Sequence, residues 1–312
     1  MTAAKRKQKT TGEVTFAVIN DLHAQFVPKP SPHGYPGGSE RADWMLRQFQ
    51  PGGRHADVDF VVGAGDLING EDLKSIRAEM KAFRKAVKRL PMPYYPCCGN
   101  HEFLQREGSA EYERPYAKAF GKDRFDYAFA AGPVRIIVLN NGGTFHVTAK
   151  RREQRAKRFE KMLRAHPGVP KIVVCHVPLV SMRDRDVLHG SFGFISYRCL
   201  EGELLDLLDT AGADVKLVIS GHLHLTGMVR RRGVCHLVTA GTASFPHDYA
   251  LLRVNARRIQ VDVTGLPKSL HEPKSNIHGP PRYAEGYTDA EHPRALDYLR
   301  GRAAERKFEV KL

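Results

Sequence analysis

The stretch Val14-Thr15-Phe16-Ala17-Val18-Ile19-Asn20-Asp21-Leu22-His23 carries the reading of the whole chain. Six residues rich in β-branched and apolar side chains read as a buried strand, and the run then breaks abruptly into Asn, Asp and His. The same grammar recurs. Val58-Asp59-Phe60-Val61-Val62 leads into Gly63-Ala64-Gly65-Asp66, and Tyr94-Tyr95 is followed by Gly99-Asn100-His101-Glu102. Lys171 to Cys175 runs into His176, and residues 215–219 run into Gly221-His222-Leu223-His224. Residues 134–139, 234–238, 251–254 and 259–263 are further strand candidates. Helical patterns lie between them. After Gly70, the residues Leu73, Ile76, Met80, Phe83, Val87 and Leu90 recur at spacings of three and four, and Pro91 is expected to end that helix. Residues 151–164 form a second, with Ala156, Phe159 and Leu163 as its apolar stripe, and residues 204–208 a third that closes near Gly212. Strands alternating with helices predict one α/β layered domain over residues 13–264. Beyond it, Pro267, Pro273, Pro280 and Pro281 predict a wrapping extension, residues 265–312, with a short helix around residues 293–302.

Composition narrows the class. Of 312 residues, 42% are hydrophobic and 27% charged, which excludes wholesale disorder, collagen and coiled coil. No apolar run approaches the roughly 18 residues a transmembrane helix needs. Lys5-Arg6-Lys7 looks like the start of an export signal, but the apolar run at residues 14–19 is too short for one. A cytoplasmic protein is therefore expected, unless a precursor carried a signal absent from this sequence. Five cysteines without a CxxC do not make a disulfide framework, and Cys97, Cys98, Cys175 and Cys235 are expected as small buried residues. Oligomeric state leaves no trace in the sequence. The formal net charge of +15 invites a nucleic-acid partner.

In α/β sheets ligands bind beyond the carboxyl ends of the strands, so the strand-end residues are expected to converge on one crevice. Asp21 and His23 are two apart, as are His222 and His224, and in an extended segment that spacing points both side chains to one face. The inventory is Asp21, Asp66, His23, His176, His222, His224 and Asn100: two carboxylates, four imidazoles and one amide oxygen. Mixed N/O sets suit zinc, iron or manganese better than calcium. Seven donors exceed one tetrahedral site but suit two ions sharing a carboxylate. Two ions about 3.5–4 Å apart stabilise attacking and leaving oxygens at phosphorus and lower the pKa of water.

In this order, Asp21-Leu22-His23, Gly65-Asp66, Gly99-Asn100-His101-Glu102, His176-Val177-Pro178 and Gly221-His222-Leu223-His224 resemble the calcineurin-like metallophosphoesterases over roughly residues 14–250. The resemblance implies a four-layer αββα sandwich with mixed sheets and the metals at one edge. It assigns Asp21, His23 and His224 to the first of two divalent or trivalent ions (Mn, Fe or Zn), Asp66 as the bridge, and Asn100, His176 and His222 to the second. It makes His101 the residue that stabilises or protonates the leaving oxygen. Glu102 stands where the family often has Asp and is expected to orient the His101 ring. The implied reaction is hydrolysis of a phosphomonoester or phosphodiester, by in-line attack of a metal-bridging hydroxide. Asn69, three residues after Asp66, departs from the Tyr of purple acid phosphatases and from the His of the double-strand-break nucleases. What remains looks most like the bacterial phosphodiesterase and phosphatase branch.

Loops should set substrate choice. These are residues 25–38, with His33 and Tyr35; residues 180–199, with Arg183, Arg185 and His189; and residues 241–249, with Phe245 and His247. Arg183 and Arg185 are the candidates for holding a non-reacting phosphate oxygen. The run Lys150, Arg151, Arg152, Arg155, Lys157, Arg158, Lys161 and Arg164 reads as a solvated helix face, since it lacks the interleaved aromatics of single-strand binders. A small anionic phosphoester is thus favoured over nucleic acid. The rivals are a metal-dependent nuclease or nucleic-acid-binding protein, and a non-catalytic scaffold of the same fold.

Overall fold

Within Val14–Ile19 alternate side chains face different cores, and that alternation sets the layering. Phe16 and Val18 point into a core shared with Ile136, Val138, Val174 and Ile219, whereas Ala17 and Ile19 join Met45, Ile76, Met80 and Phe83. The computed structural model describes residues 12–104, 106, 109–143, 148–192, 202–271 and 288–312. Among these, the strands in chain order are β1 (Val14–Ile19), β2 (Phe60–Ala64), β3 (Tyr94–Cys97), β4 (Tyr127–Ala131), β5 (Val134–Leu139), β6 (Lys171–Cys175), β7 (Val215–Ser220), β8 (Gly227–Arg231), β9 (Val234–Val238), β10 (Asp248–Asn255), β11 (Arg258–Gly265) and β12 (Lys307–Lys311). The helices are α1 (Gly38–Gln48), α2 (Leu73–Val87), α3 (Ala110–Phe120), α4 (Ala149–Arg164), α5 (Arg185–Phe192), α6 (Glu203–Ala211), α7 (Ala295–Arg300) and α8 (Ala303–Arg306).

Two six-stranded sheets result, ordered β12-β11-β10-β1-β2-β3 and β4-β5-β6-β7-β9-β8. Both are mixed: β1, β2 and β3 run parallel while β10 pairs antiparallel with β1, and β5, β6, β7 and β9 run parallel between antiparallel edges. The sheets pack face to face. Side chains of α1 and α2 cover the outer face of the first, and Phe159 and Leu163 of α4 with Leu204 and Leu208 of α6 cover the second. This is the four-layer αββα sandwich. Strands buried on both faces read as continuous apolar runs, which is why the central ones were visible in the sequence.

Local differences have local causes. α2 starts in a capping box between Asp72 and Ser75 but ends at Val87, before Pro91. Arg89 and Leu90 bond three residues back, to Ala86 and Val87, so the last turn tightens and Leu90 still packs on the core. The strands β4, β8 and β12, all at sheet edges, escaped the pattern because edge strands carry charges and small residues. Helix α5 occupies part of the expected loop at residues 180–199. Beyond residue 264, Ala295–Arg300 is helical and β12 pairs antiparallel with β11, Val310 opposite Ile259. Pro273, Pro280, Pro281 and the Lys5-Arg6-Lys7 cluster lie outside the described residues, as does Cys199. The cysteines Cys97, Cys98, Cys175 and Cys235 are buried. No helix among the described residues is long and apolar enough to cross a membrane.

Residues 288–312 are held by buried charge. Glu305 accepts from Arg183 Nη1 at 2.8 Å, His292 Nε2 at 2.9 Å and the Arg302 backbone N–H at 2.7 Å. Burial opposes the charge of Glu305, yet Arg183, the Arg302 N–H and His292 outweigh it and bring its pKa down to about 2 from 4.5. A depressed folded-state pKa stabilises fully above the unfolded value and is lost as pH falls through the folded one. Amide protection in α7 and α8, relative to the intrinsic exchange rate at each pH, is therefore expected to fall between about pH 4.5 and 2. Glu305→Gln should flatten that acid dependence, and an unchanged profile in the variant would refute the assignment.

Candidate metal centre

The carboxyl ends of β1, β2, β3, β6 and β7 deliver the predicted residues to one place. The geometry of delivery differs from the expected strand alternation. Asp21 (φ 44°), His23 (44°), Asp66 (49°), His222 (71°) and His224 (50°) all have left-handed backbone. They lie in irregular backbone beyond the strand ends, where Asp21 and His23 still bring donor atoms within 4.8 Å of each other and of His224. Such conformations cost of order 1–3 kcal/mol each and persist only where surroundings fix them. Here neighbouring turns bind one another: Asp21 N donates to Gly65 O at 3.0 Å, Leu22 N to Asp66 O at 2.9 Å and Gly221 N to His176 O at 2.9 Å. The approach is close enough that a Cβ on Gly99 would strike Asp66 Oδ1, and one on Gly221 would strike Asp21 Oδ2.

Among the described residues, three overlapping groups of nitrogen and oxygen atoms, each within 4.8 Å, form: Asp21 with His23 and His224, His23 with Asp66 and His101, and Asp66 with His176 and His222. Asp66 joins the last two. In the first, His224 Nε2 lies 3.2 Å from Asp21 Oδ1 and 3.3 Å from His23 Nε2. His23 Nε2 lies 3.8 Å from Asp66 Oδ2, which is in turn 3.1 Å from His176 Nε2. Asn100 Oδ1 stands 3.2 Å from His176 Nε2 and 3.0 Å from His222 Nδ1.

The chemistry of this donor set fits metal ions. His176 Nδ1 donates to Ala64 O at 3.0 Å, so in the neutral ring Nε2 carries a lone pair. That lone pair faces Asp66 Oδ2 and Asn100 Oδ1, neither of which can donate. Burial disfavours the imidazolium, but Asp66 and Asp21 raise the His176 pKa to about 10. Asp66 is held well below the carboxylate range, because His176, His101 and His23 outweigh its burial. Burial and the His176 charge push His222 down to about 3. His224 shares a 2.6 Å hydrogen bond between Nδ1 and Ser244 Oγ, which fixes its ring with Nε2 inward.

The surrounding residues correct two expectations. Glu102 does not orient His101. Its buried carboxylate accepts the backbone N–H groups of Gly99 (2.5 Å), Asp66 (3.0 Å), Leu67 (2.8 Å) and Ile68 (3.3 Å), tying the turn after β2 to the turn after β3. Burial and the Asp66 charge push its pKa up to about 7, against the pull of those donors. His101 instead bonds through Nδ1 to the backbone carbonyl of Asn69. Its side chain is 30% exposed, with Nε2 4.0 Å from Asp66 Oδ2. Arg183 is the second correction. Its guanidinium is buried against Glu305, Tyr298 O, Met182 O and Thr226 O, and so is committed to the fold rather than to a substrate. Arg185 is exposed at the start of α5.

Tyr35, from the first of the expected loops, lies over the first group, its ring centroid 4.2 Å from that of His23 and 5.3 Å from that of His224. In the third loop, His247 is buried and donates Nδ1–H to Thr242 O at 2.9 Å. On α4, Lys157, Arg158 and Arg164 pair with Glu153, Asp126 and Glu160, while Arg155 is buried, unlike the solvated face expected of the whole run.

Three supporting residues were missed. Asn20 donates to Asp21 Oδ2 at 2.5 Å and to Thr239 O at 2.8 Å. Asn141 Oδ1 accepts the N–H groups of His176 and Val177. Ser244 is the third. Asn140-Asn141 directly follows β5, so the rule that strands end in polar residues had the signal for Asn141 in hand. Ser244 had none.

A four-layer sandwich whose parallel strands end on clustered Asp and His groups is the arrangement of a metal-dependent phosphoesterase. The chain belongs to the calcineurin-like phosphoesterase family, whose model matches residues 14–225, more than half of it; it is a metal-dependent hydrolase of phosphoesters. No curated protein matches the sequence. Solved structures share the fold at low identity. A dimetal phosphatase from Danio rerio matches at TM-score 0.58 and 17% identity, over 81% of this chain and 96% of that one. A purple acid phosphatase from yellow lupin (Lupinus luteus) seeds matches at TM-score 0.58 and 14% identity, over 82% of this chain but only 52% of the longer lupin chain. GAP50, described as the anchor in the inner membrane complex of Plasmodium, matches at TM-score 0.50 and 15% identity, over 82% of this chain and 85% of that one.

Proposed function

We propose that the protein hydrolyses a small anionic phosphomonoester or phosphodiester at a centre holding two ions of manganese, iron or zinc. The observation that carries this is the convergence of acceptor lone pairs on Asp66, with His176 Nε2 3.1 Å from its Oδ2 and His23 Nε2 3.8 Å from the same atom. Asp21, His23 and His224 would hold one ion, Asn100, His176 and His222 the other, and Asp66 both. Two ions so placed lower the pKa of water and take up charge on the phosphoryl oxygens. Glu102 keeps the two turns bearing Asp66 and Asn100 in register. His101, partly exposed and with Nδ1 engaged by Asn69 O, would present Nε2 to the leaving oxygen as a proton donor. Tyr35 walls the first ion's side of the cleft.

A panel with manganese, iron and zinc tests the reading: an aryl phosphate, a bis-aryl phosphodiester, cyclic nucleotides and single-stranded DNA. At least one small ester is expected to turn over, and a chelator should abolish the activity. No turnover with any metal would point to a scaffold. Preferential cleavage of single-stranded DNA would point to a nuclease.

A further inference from the structure

His224 is oriented from behind by Ser244, which belongs to the loop between β9 and β10. The middle of that loop is fixed to the ligand turn after β1: Thr242 N donates to Asn20 O at 3.3 Å and Ala243 N to Asp21 O at 3.0 Å. Its end is fixed from elsewhere. The carboxylate of Asp248, 1% exposed, receives Arg306 Nη1 at 2.6 Å and Nη2 at 3.1 Å, a bidentate pair, and Thr226 Oγ1 at 2.9 Å. Thr226 stands two residues past His224, and its hydroxyl also accepts the Ala240 N–H at 3.1 Å.

The same short segment holds the other side. Leu299 O accepts the Thr226 N–H at 2.8 Å, and the Arg300 guanidinium lies 5.5 Å from the Phe245 ring, next in sequence to Ser244. Residues 299–306 thus grip both the backbone that carries His224 and the loop that carries its hydrogen-bond partner. Sheet pairing does not require these contacts, since among the described strands β12 pairs with β11 alone.

We propose that Arg306, with Leu299 O and Arg300, is a positioning element of the metal centre: it sets the spacing between Thr226 and Asp248, and through it the Ser244 to His224 hydrogen bond that aims the His224 imidazole. This rests on His224 being a ligand of the first ion. It gives residues 299–306 a role in metal affinity at one site, where a plain staple would affect stability alone.

Calorimetric titration of the metal-free full chain with manganese or zinc alone is the test, on wild type, Arg306→Gln, Ser244→Ala and the double variant. Arg306→Gln is expected to weaken one of the two binding steps about 10–100-fold, the range for groups that orient a metal ligand. The other step should stay within about twofold. Ser244→Ala should weaken the same step, and the double variant should fall short of the sum because both act through one imidazole. Arg306→Lys should recover part of the loss. Should Arg306→Gln prove unstable, Arg306→Lys and Ser244→Ala still read the same step. Two steps unchanged, or weakened alike in folded protein, would overturn the proposal. The His224 ring nitrogens, followed by NMR in the metal-free protein, separate this from the metal reading. If wild type takes up no metal, that reading falls, and a ring environment unmoved by Arg306→Gln overturns the positioning role as well.

Discussion

Asp66→Asn is expected to lower turnover on the order of a thousandfold or more, equivalent to roughly 4 kcal/mol of transition-state stabilisation, and to leave fewer than two metal ions per chain. The residue is almost isosteric and tolerates left-handed backbone, so the fold should survive. What changes is the number of acceptors. Asp66 Oδ1 takes the His101 backbone N–H at 2.9 Å while Oδ2 faces His176 and His23. An amide supplies one oxygen. If it faces His101, an NH2 group points into the lone pairs of the centre, and if it faces inward the His101 N–H loses its partner. Activity measured with added manganese, beside metal content, checks this. A loss smaller than tenfold would sink the bridging role.

His101→Ala is expected to separate rate from metal content. The side chain is 30% exposed, and its ring meets the His23 ring edge-on at 4.6 Å between centroids. Removing it takes away a proton donor but no residue of the two sets proposed to hold ions. Turnover should fall about 10²–10⁴-fold, the usual contribution of general acid catalysis, with both ions retained. The loss should be larger for alkyl esters than for nitrophenyl esters, whose leaving oxygen needs no proton. Loss of both metals, or equal loss for every leaving group, would show that His101 serves otherwise.

Much of this centre was legible because a buried strand needs an unbroken apolar run, and the break after it is conspicuous. Residues 14–23 display the rule, and Asp66, Asn100, His176 and His222 follow it. The edge strands β4, β8 and β12 were hidden because a strand exposed on one side and one edge does not need such a run. Glu102 follows His101 but does not face it, because consecutive residues in a turn diverge, and its carboxylate enters a ring of backbone N–H groups. Arg183 pairs with Glu305, 122 residues away, a partnership that local pattern cannot contain. The left-handed turns were likewise invisible, since a spacing of two is shared by strands and by these turns.

Those turns bear on how mutational scans of this protein should be read. Asp, Asn, His and Gly are among the residues that tolerate positive φ, so at Asp21, His23, Asp66, His222 and His224 the backbone and the chemistry select from overlapping sets. Alanine belongs to neither. Replacing any of the five with alanine removes a donor atom and also distorts the peptide, and the two losses arrive as one number. Glycine deletes the side chain while keeping the turn, which makes it the cleaner probe of what each donor contributes.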